Sequence, residues 1–167
     1  VSEGLQFVGK TFAEMQAMHP SASGADPQVY VCGFMFSADR SEVVLIRKAK
    51  PAWQIGKLNG VGGKVEPGEQ PLSAMKREFA EETGLNHMPW EHFATLRGDG
   101  FVVYFYETTA DYHHEAQTME TEEVVIGRVD DFLADPALMP NLRVLIPLAL
   151  DTSGIVKPVT LTDAVRQ

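Results

Sequence analysis

The chain has 167 residues of which 44% are apolar, enough for one sizeable core and too few for two ordinary domains. Fourteen basic against twenty-three acidic residues leave a formal charge of −9, which argues against binding along a nucleic-acid polymer or to an anionic membrane surface. The single cysteine, Cys32, excludes a disulfide framework, and no apolar run is long enough to span a bilayer.

Residues 1–27 read as an appendage, a short helix around Thr11 to Met18 followed by the turn formers HPSASGADP. With no basic segment leading into an apolar core at the N-terminus, the chain reads as soluble and cytoplasmic. Gln28 to Phe36 and Glu42 to Lys48 are rich in β-branched and aromatic residues and predict two strands of a hairpin turning at Ser37 to Ser41. Cys32 sits in the first, as a buried and inert thiol. A strand from Leu58 to Val65 then runs between two loops, and Gly60, Gly62 and Gly63 permit close backbone approach.

Pro71 suits a first helical position and Gly84 a left-handed cap, so a helix is expected between them. Strands follow at Trp90 to Arg97 and Phe101 to Thr108 around the turn Gly98 to Gly100, then the adjacent loop histidines His113 and His114 and an acidic loop from Glu115 to Glu123. The aromatic run Phe101 to Tyr106 reads as a packed strand. A short strand, Val124 to Arg128, leads to a helical start at Asp130 or Asp131, and a last helix spans Asn141 to Leu150 with a kink or early end at Pro147. The domain is expected over 28–155, with 156–167 as a tail.

Within the central helix, Glu78, Glu81 and Glu82 fall on one arc of about 100° and Leu72, Met75 and Phe79 on the adjacent one. One face is expected to pack and the other to front a cleft. Crowded carboxylates at this spacing repel one another unless a cation is present. Oxygen donors without a Cys/His cluster point to Mg²⁺ or Mn²⁺. Arg77, four residues before Glu81, is placed to brace the acids.

Gly63, Glu69, Arg77, Glu78, Glu81, Glu82 and Gly84 stand together in GKVEPGEQPLSAMKREFAEETGL, a coincidence of order 10^-8 per start position at average composition. The segment resembles the signature of the Nudix hydrolase family, MutT-like branch, with Phe79 and Leu85 in its apolar slots. That resemblance implies an α/β/α sandwich with a mixed sheet over roughly Gln28 to Leu150. It further implies metal-dependent hydrolysis of a diphosphate linked to a nucleoside. By the same resemblance Glu78, Glu82, Glu81 and the carbonyl of Gly62 hold the metal, and Glu69 and Arg77 orient helix and loop.

For the general base the resemblance leaves two schemes, Glu78 itself or an acid of the later loop. Glu122 and Glu123 are the first loop candidates, Glu115 and Glu120 weaker ones. The segment MPNLRVLIPLAL is similar to the base-reading stretch of oxidised-purine triphosphatases, with Asn141 at the reading position and Met139 where an aromatic residue stands in the mammalian type. The two adjacent acids of that type are missing, so the resemblance stops short of 8-oxo-dGTP specificity. Asn141 equally suits a helix N-cap. Trp53, beside Gln54, stacks on a base or anchors a surface loop. Lys64 belongs to a run of eight basic residues between Arg40 and Arg77 that provides either a phosphate field or plain solubility. The expected partner is a small nucleotide, and a homodimer is compatible with the sequence. ADP-ribose or dinucleoside polyphosphate hydrolysis, and a nonhydrolytic nucleotide sensor, are the alternative functions.

Overall fold

The computed structural model describes residues 26–163. The strands are β1 (Gln28–Phe36), β2 (Glu42–Arg47), β3 (Leu58–Asn59), β4 (Val61–Lys64), β5 (Glu91–Gly98), β6 (Phe101–Thr109), β7 (Glu123–Arg128) and β8 (Val159–Thr162). The helices are α1 (Pro71–Thr83), α2 (Val129–Ala134) and α3 (Leu142–Leu150). The expected N-terminal helix lies outside the described residues. No helix among the described residues is long and apolar enough to cross a membrane.

β1 organises the sheet because its side chains are apolar on both faces, as a strand covered on both sides requires. Cys32, Phe34 and Phe36 enter one core with Phe93, Phe105, Phe132, Leu142, Leu145 and Ile146. Val31 and Met35 enter the other, with Ala74, Met75 and Phe79 of α1 and with Trp90. The result is the expected α/β/α sandwich, α1 on one side and α2 and α3 on the other. Among the described residues six phenylalanines are fully buried, each contributing about 2–3 kcal/mol by leaving water.

The sheet order is β3-β2-β1-β6-β5-β8, with β4 paired to β1 and β7 to β2. β1 and β6 run parallel over their whole length, Gln28 opposite Phe101 through Phe36 opposite Thr109. The hairpin of β1 with β2 is real but short, Met35 opposite Val44 and Phe36 opposite Val43.

Several expectations need correcting. The strand from Leu58 to Val65 breaks at Gly60, so that β3 pairs with β2 and β4 with β1. A Cβ at Gly60 would stand 2.5 Å from Cys32 Sγ, so glycine permits the crossing. The acidic loop ends sooner than expected, because Glu123 opens β7 opposite Arg47. α3 continues through Pro147 to Leu150. Pro147 is exposed while Leu142, Leu145, Ile146 and Ala149 are buried, so the missing hydrogen bond falls on the side where water replaces it. Leu72, placed on the packing face by its arc, is 39% exposed in the first turn of α1. The stretch read as a tail supplies β8, parallel to β5 at the sheet edge.

α1 starts at Pro71 and ends at Gly84, whose φ is 77° and whose N–H donates to the Ala80 carbonyl. Gly84→Ala should therefore lower stability by about 1–2 kcal/mol, the cost of a Cβ in the left-handed region, read as a lower urea midpoint at unchanged m-value.

Candidate functional site

Arg77 is the centre of the acidic face. Its Nε and Nη2 donate to both oxygens of Glu69 at 2.9 and 3.0 Å, its Nη1 to Glu78 at 2.7 Å and to Glu81 at 3.2 Å. Nη2 also donates to the Lys64 carbonyl at 3.1 Å, which ties α1 to β4. Glu69 in turn accepts from the Glu66 N–H, closing the glycine loop. The hydrogen bond from Arg77 holds the Glu69 carboxyl below its ordinary range. Gly63 completes the arrangement: a Cβ there would lie 2.6 Å from the Glu78 carboxyl, so only glycine admits that side chain against β4. At Gly62 a Cβ would meet the Val31 carbonyl at 2.1 Å.

Glu82 behaves differently from its two neighbours. It is 7% exposed, against an expectation that kept it off the packed side of α1, and its Oε2 is buried without a hydrogen-bond partner. Arcs on a helical wheel specify which residues share a face, but not how deep a neighbouring loop buries that face. Here the segment before β7 runs against the end of α1, Gln117 N–H donating to the Thr83 carbonyl and Met119 N–H to the Glu82 carbonyl. Burial raises the Glu82 carboxyl to about 8, Lys48 opposing and Glu122, Glu78 and Glu120 reinforcing the shift.

Glu122 and Glu123 part company. Glu122 is 3% exposed, accepts from Lys48 Nζ at 2.7 Å and from the Ala49 N–H at 3.2 Å, and lies close enough to Glu82 to disfavour its ionisation. Glu123 pairs with Arg47 at 3.1 Å at the surface, its side chain 64% exposed. Successive strand residues point to opposite faces, so only one of the two acids reaches the cluster. Glu115 is exposed in a single 3-10 turn, His113–Glu115, and Glu120 is exposed. His113, read as a loop residue, is buried and bonded to Glu42 Oε2 at 2.9 Å.

Beside the acids lies a recess of about 550 Å³. Its floor and walls include Tyr30, Cys32, Val103 and Phe105, and Gly62 and Gly63 form the side next to α1. Four amides line it, Gln28, Gln54, Asn59 and Asn141, and Lys48 is its one charged lining residue. Trp53 stands at its edge. Asn141 does not cap α3: its side chain makes no capping bond, its backbone is already helical, and its Oδ1 is buried and unpartnered. Gln54 Oε1 accepts from Asn59 Nδ2 at 3.3 Å, and Asn59 Oδ1 accepts from the Gly60 N–H at 2.8 Å. Cys32 is buried and its thiol is pushed up to about 12, mainly by desolvation, so it is no nucleophile.

Two substrate-site candidates lie elsewhere. Met139 is 2% exposed inside the core and its N–H bonds the Leu58 carbonyl. Its apolar side chain gains more from the core than from the recess two residues away. Lys64 is exposed at the end of β4 and does not line the recess. Residues that the sequence reading missed are Asn59 and Gln28, and Lys48 entered it only as one of the eight basic residues between Arg40 and Arg77. Asn59 had a signal, a polar residue immediately before the glycine run, whereas Lys48 reaches the site only because β2 and the loop before β7 converge.

A NUDIX domain model matches residues 26–148 of the chain. The chain belongs to the Nudix family. It is 36% identical over 58 residues to an 8-oxo-dGTP diphosphatase of Escherichia coli, covering 35% of the chain and 45% of that protein. It is 32% identical over 100 residues to an oxidized purine nucleoside triphosphate hydrolase of Danio rerio, covering 60% of the chain and 54% of that protein. The alignments thus span about half the length of the curated relatives. Among solved structures, the NUDIX domain of Shewanella oneidensis NrtR, complexed with ADP ribose, superposes with a TM-score of 0.67 at 21% identity, covering 84% of this chain and 97% of that one. That likeness concerns the fold.

The Nudix helix presents hard oxygen donors, and two features suit a divalent cation: the orphaned Glu82 oxygen and the glycine cradle for Glu78. Among the described residues no three His, Cys, Asp or Glu side chains surround a common point, and Glu78 and Glu81 are both paired to Arg77.

In the metal-free protein Glu82 keeps its proton up to about pH 8, whereas its ordinary value is 4.5. Between those values the folded state binds a proton that the unfolded chain has lost, so stability falls as pH rises through the window and levels off above it. Thermal melts of metal-free protein from pH 4 to 9 should show this decline, and Glu82→Gln should flatten it. An identical pH profile in the variant would remove Glu82 as its source.

Proposed function

We propose that this Nudix protein is a Mg²⁺-dependent hydrolase cleaving the diphosphate linkage of a nucleoside triphosphate to a nucleoside monophosphate and pyrophosphate. The observation that carries the reading is the unpartnered, buried Glu82 oxygen near an amide-lined recess whose volume falls in the range usual for small-ligand sites. The curated relatives act, by their names, on oxidised purine nucleotides, which makes those triphosphates the first substrates to test.

Glu78, Glu81, Glu82 and the Gly62 carbonyl are the groups that would hold Mg²⁺, with Mn²⁺ as a substitute. The ion, when bound, neutralises charge developing on the phosphate oxygens and lowers the pKa of a coordinated water. Arg77 supports the acids by holding Glu69, Glu78 and Glu81 in one fork, and so limits their mutual repulsion. Lys48 supplies the positive charge facing the recess. Water adds to phosphorus, the bond from phosphorus to the bridging oxygen breaks, and the proton lost by water passes to a carboxylate. Glu122, buried beside Glu82, suits that acceptor role better than the exposed Glu123.

In the recess, Asn141 offers a donor and an acceptor to a base edge, with Gln54 and Asn59 as further amides. Trp53 would stack on the ring from the rim. Amides without carboxylates along this wall favour a ring that presents both acceptor and donor atoms.

Incubation with canonical and oxidised nucleoside triphosphates, ADP-ribose and diadenosine polyphosphates, with and without Mg²⁺, tests the assignment. Metal-dependent release of pyrophosphate from a triphosphate is expected. Turnover of ADP-ribose alone, or nucleotide binding without turnover of any compound, would select an alternative function.

Glu122→Gln should reduce kcat by about 10²–10⁴-fold, the usual contribution of a positioned acid or base, while Glu123→Gln stays within about twofold because surface substitutions perturb little. Equal losses in both variants would return the general base to Glu78.

A further inference from the structure

The end of α3 remote from Asn141 is held by side chains from two separate segments, joined by an acid from a third. Arg40, in the turn between β1 and β2, donates from Nη1 to the Ala149 carbonyl at 3.3 Å and to Glu107 Oε2 at 3.4 Å. Lys157 donates from Nζ to the Ala149 carbonyl at 2.9 Å and to the Asp151 carbonyl at 3.4 Å, and stands 3.9 Å from Glu107 Oε1. Glu107, on β6, is buried between the two cations. Terminal carbonyls of a helix lack internal donors and attract positive charge, and Pro147 leaves this helix one internal donor fewer.

Arg40 is committed to the position. Its φ of 61° is left-handed for a non-glycine residue, and its guanidinium carbon lies 6.0 Å from the Phe36 ring centroid. Lys157 lies beyond residue 148, where the match to the family model ends.

Both ends of α3 refer to one face of one strand. Val103 and Phe105 of β6 line the recess together with Asn141, and Glu107 is the next residue on that face. Val103 to Glu107 spans about 13 Å at the rise of a strand. Asn141 to Ala149 spans about 12 Å at the rise of a helix. The helix and strand are matched in length, with charge at one end and the recess at the other.

We propose that Arg40, Glu107 and Lys157 form a clamp that sets the axial position of α3, and thereby how far the Asn141 amide reaches into the recess. They are positioning residues for base recognition, and the inference rests on the recess being the base site. The apolar face of α3 cannot supply this register by itself. Hydrophobic contact is non-directional, so Leu142, Leu145 and Ile146 set the depth of α3 against the sheet, whereas the polar contacts at its end are directional and specify its position along the axis.

The test uses Lys157→Met, which keeps the apolar stem and removes the charge, Lys157→Arg, Asn141→Ala, and the Lys157→Met/Asn141→Ala pair. Each is titrated calorimetrically, without metal, with dGMP, dAMP, dCMP, dTMP and 8-oxo-dGMP. Kinetics follow on the triphosphate of the tightest binder. Lys157→Met should weaken that binder by about five- to tenfold, the loss of roughly one hydrogen bond, and narrow the discrimination among bases. It should raise KM with kcat within about twofold of the parent, and Lys157→Arg should restore both KM and discrimination. On the Asn141→Ala background Lys157→Met should add nothing.

A purely structural role would lower the melting temperature while affinities and discrimination stay as they are. That result, or additive losses in the double variant, overturns the clamp. Should Lys157→Met not fold, Arg40→Met removes another donor to the same carbonyl and is held to the same outcomes. Absence of saturable binding by all five monophosphates, or unchanged binding in Asn141→Ala, overturns the base-site reading and the clamp with it. A weakened Asn141→Ala beside a silent Lys157→Met overturns the clamp alone.

Discussion

One guanidinium, that of Arg77, determines whether this acidic helix can exist in the form described. It engages Glu69, Glu78, Glu81 and the Lys64 carbonyl at once, joining the glycine loop, α1 and β4. Three carboxylates gathered without it would repel one another and release the loop. The hydrogen bonds it donates to Glu69 and Glu78 raise its pKa above the ordinary arginine range against the effect of burial, Glu69 contributing most. Arginine suits the position because a planar fork meets two carboxylates and a carbonyl in directions that an ammonium does not offer together. Gly63 is its counterpart in the sheet, since the Glu78 carboxyl rests where any other residue would carry a Cβ.

With Glu78 and Glu81 occupied by Arg77, the charge that lacks an internal partner is that of Glu82. Burying an acid costs free energy unless it is protonated or paired, and Glu82 takes the first course when metal-free. Its neighbours Lys48 and Glu122 take the second, in an ion pair almost wholly out of solvent. Such a pair is weak evidence of stabilisation, because desolvation offsets much of the attraction. Its consequence here is geometric: it draws the loop before β7 onto the end of β2. That contact puts Glu122 beside Glu82 and leaves Lys48 facing the recess.

Much of the fold was legible because local chemistry and tertiary demand agree. Pro71 and Gly84 bracket α1, and alternating apolar residues in β1 serve two cores. Around Asp99, two glycines mark the turn between β5 and β6. Where local chemistry admitted two solutions, sequence reasoning stopped. Asn141 satisfied the rules for a helix cap and for a base reader alike, and only the structure shows that its side chain makes no capping bond. Glu122 and Glu123 are adjacent and chemically identical, and the start of β7 assigns one inside and the other outside. Leu72 shares an arc with Met75 and Phe79 but sits in the first turn of α1, where it stays 39% exposed.

From the order of residues alone came the acidic helix with its glycine entry and the hard oxygen donors along it, since these follow from spacing, caps and the helical period of 3.6, while the layered sheet was implied by the family resemblance. Tertiary structure alone decided which of the glutamates is desolvated, which loop acid stands beside it and that β8 extends the sheet, and it joined Arg40, Glu107 and Lys157 at the end of α3. These depend on residues tens of positions apart and on how deeply water is excluded between them, quantities that no local pattern encodes.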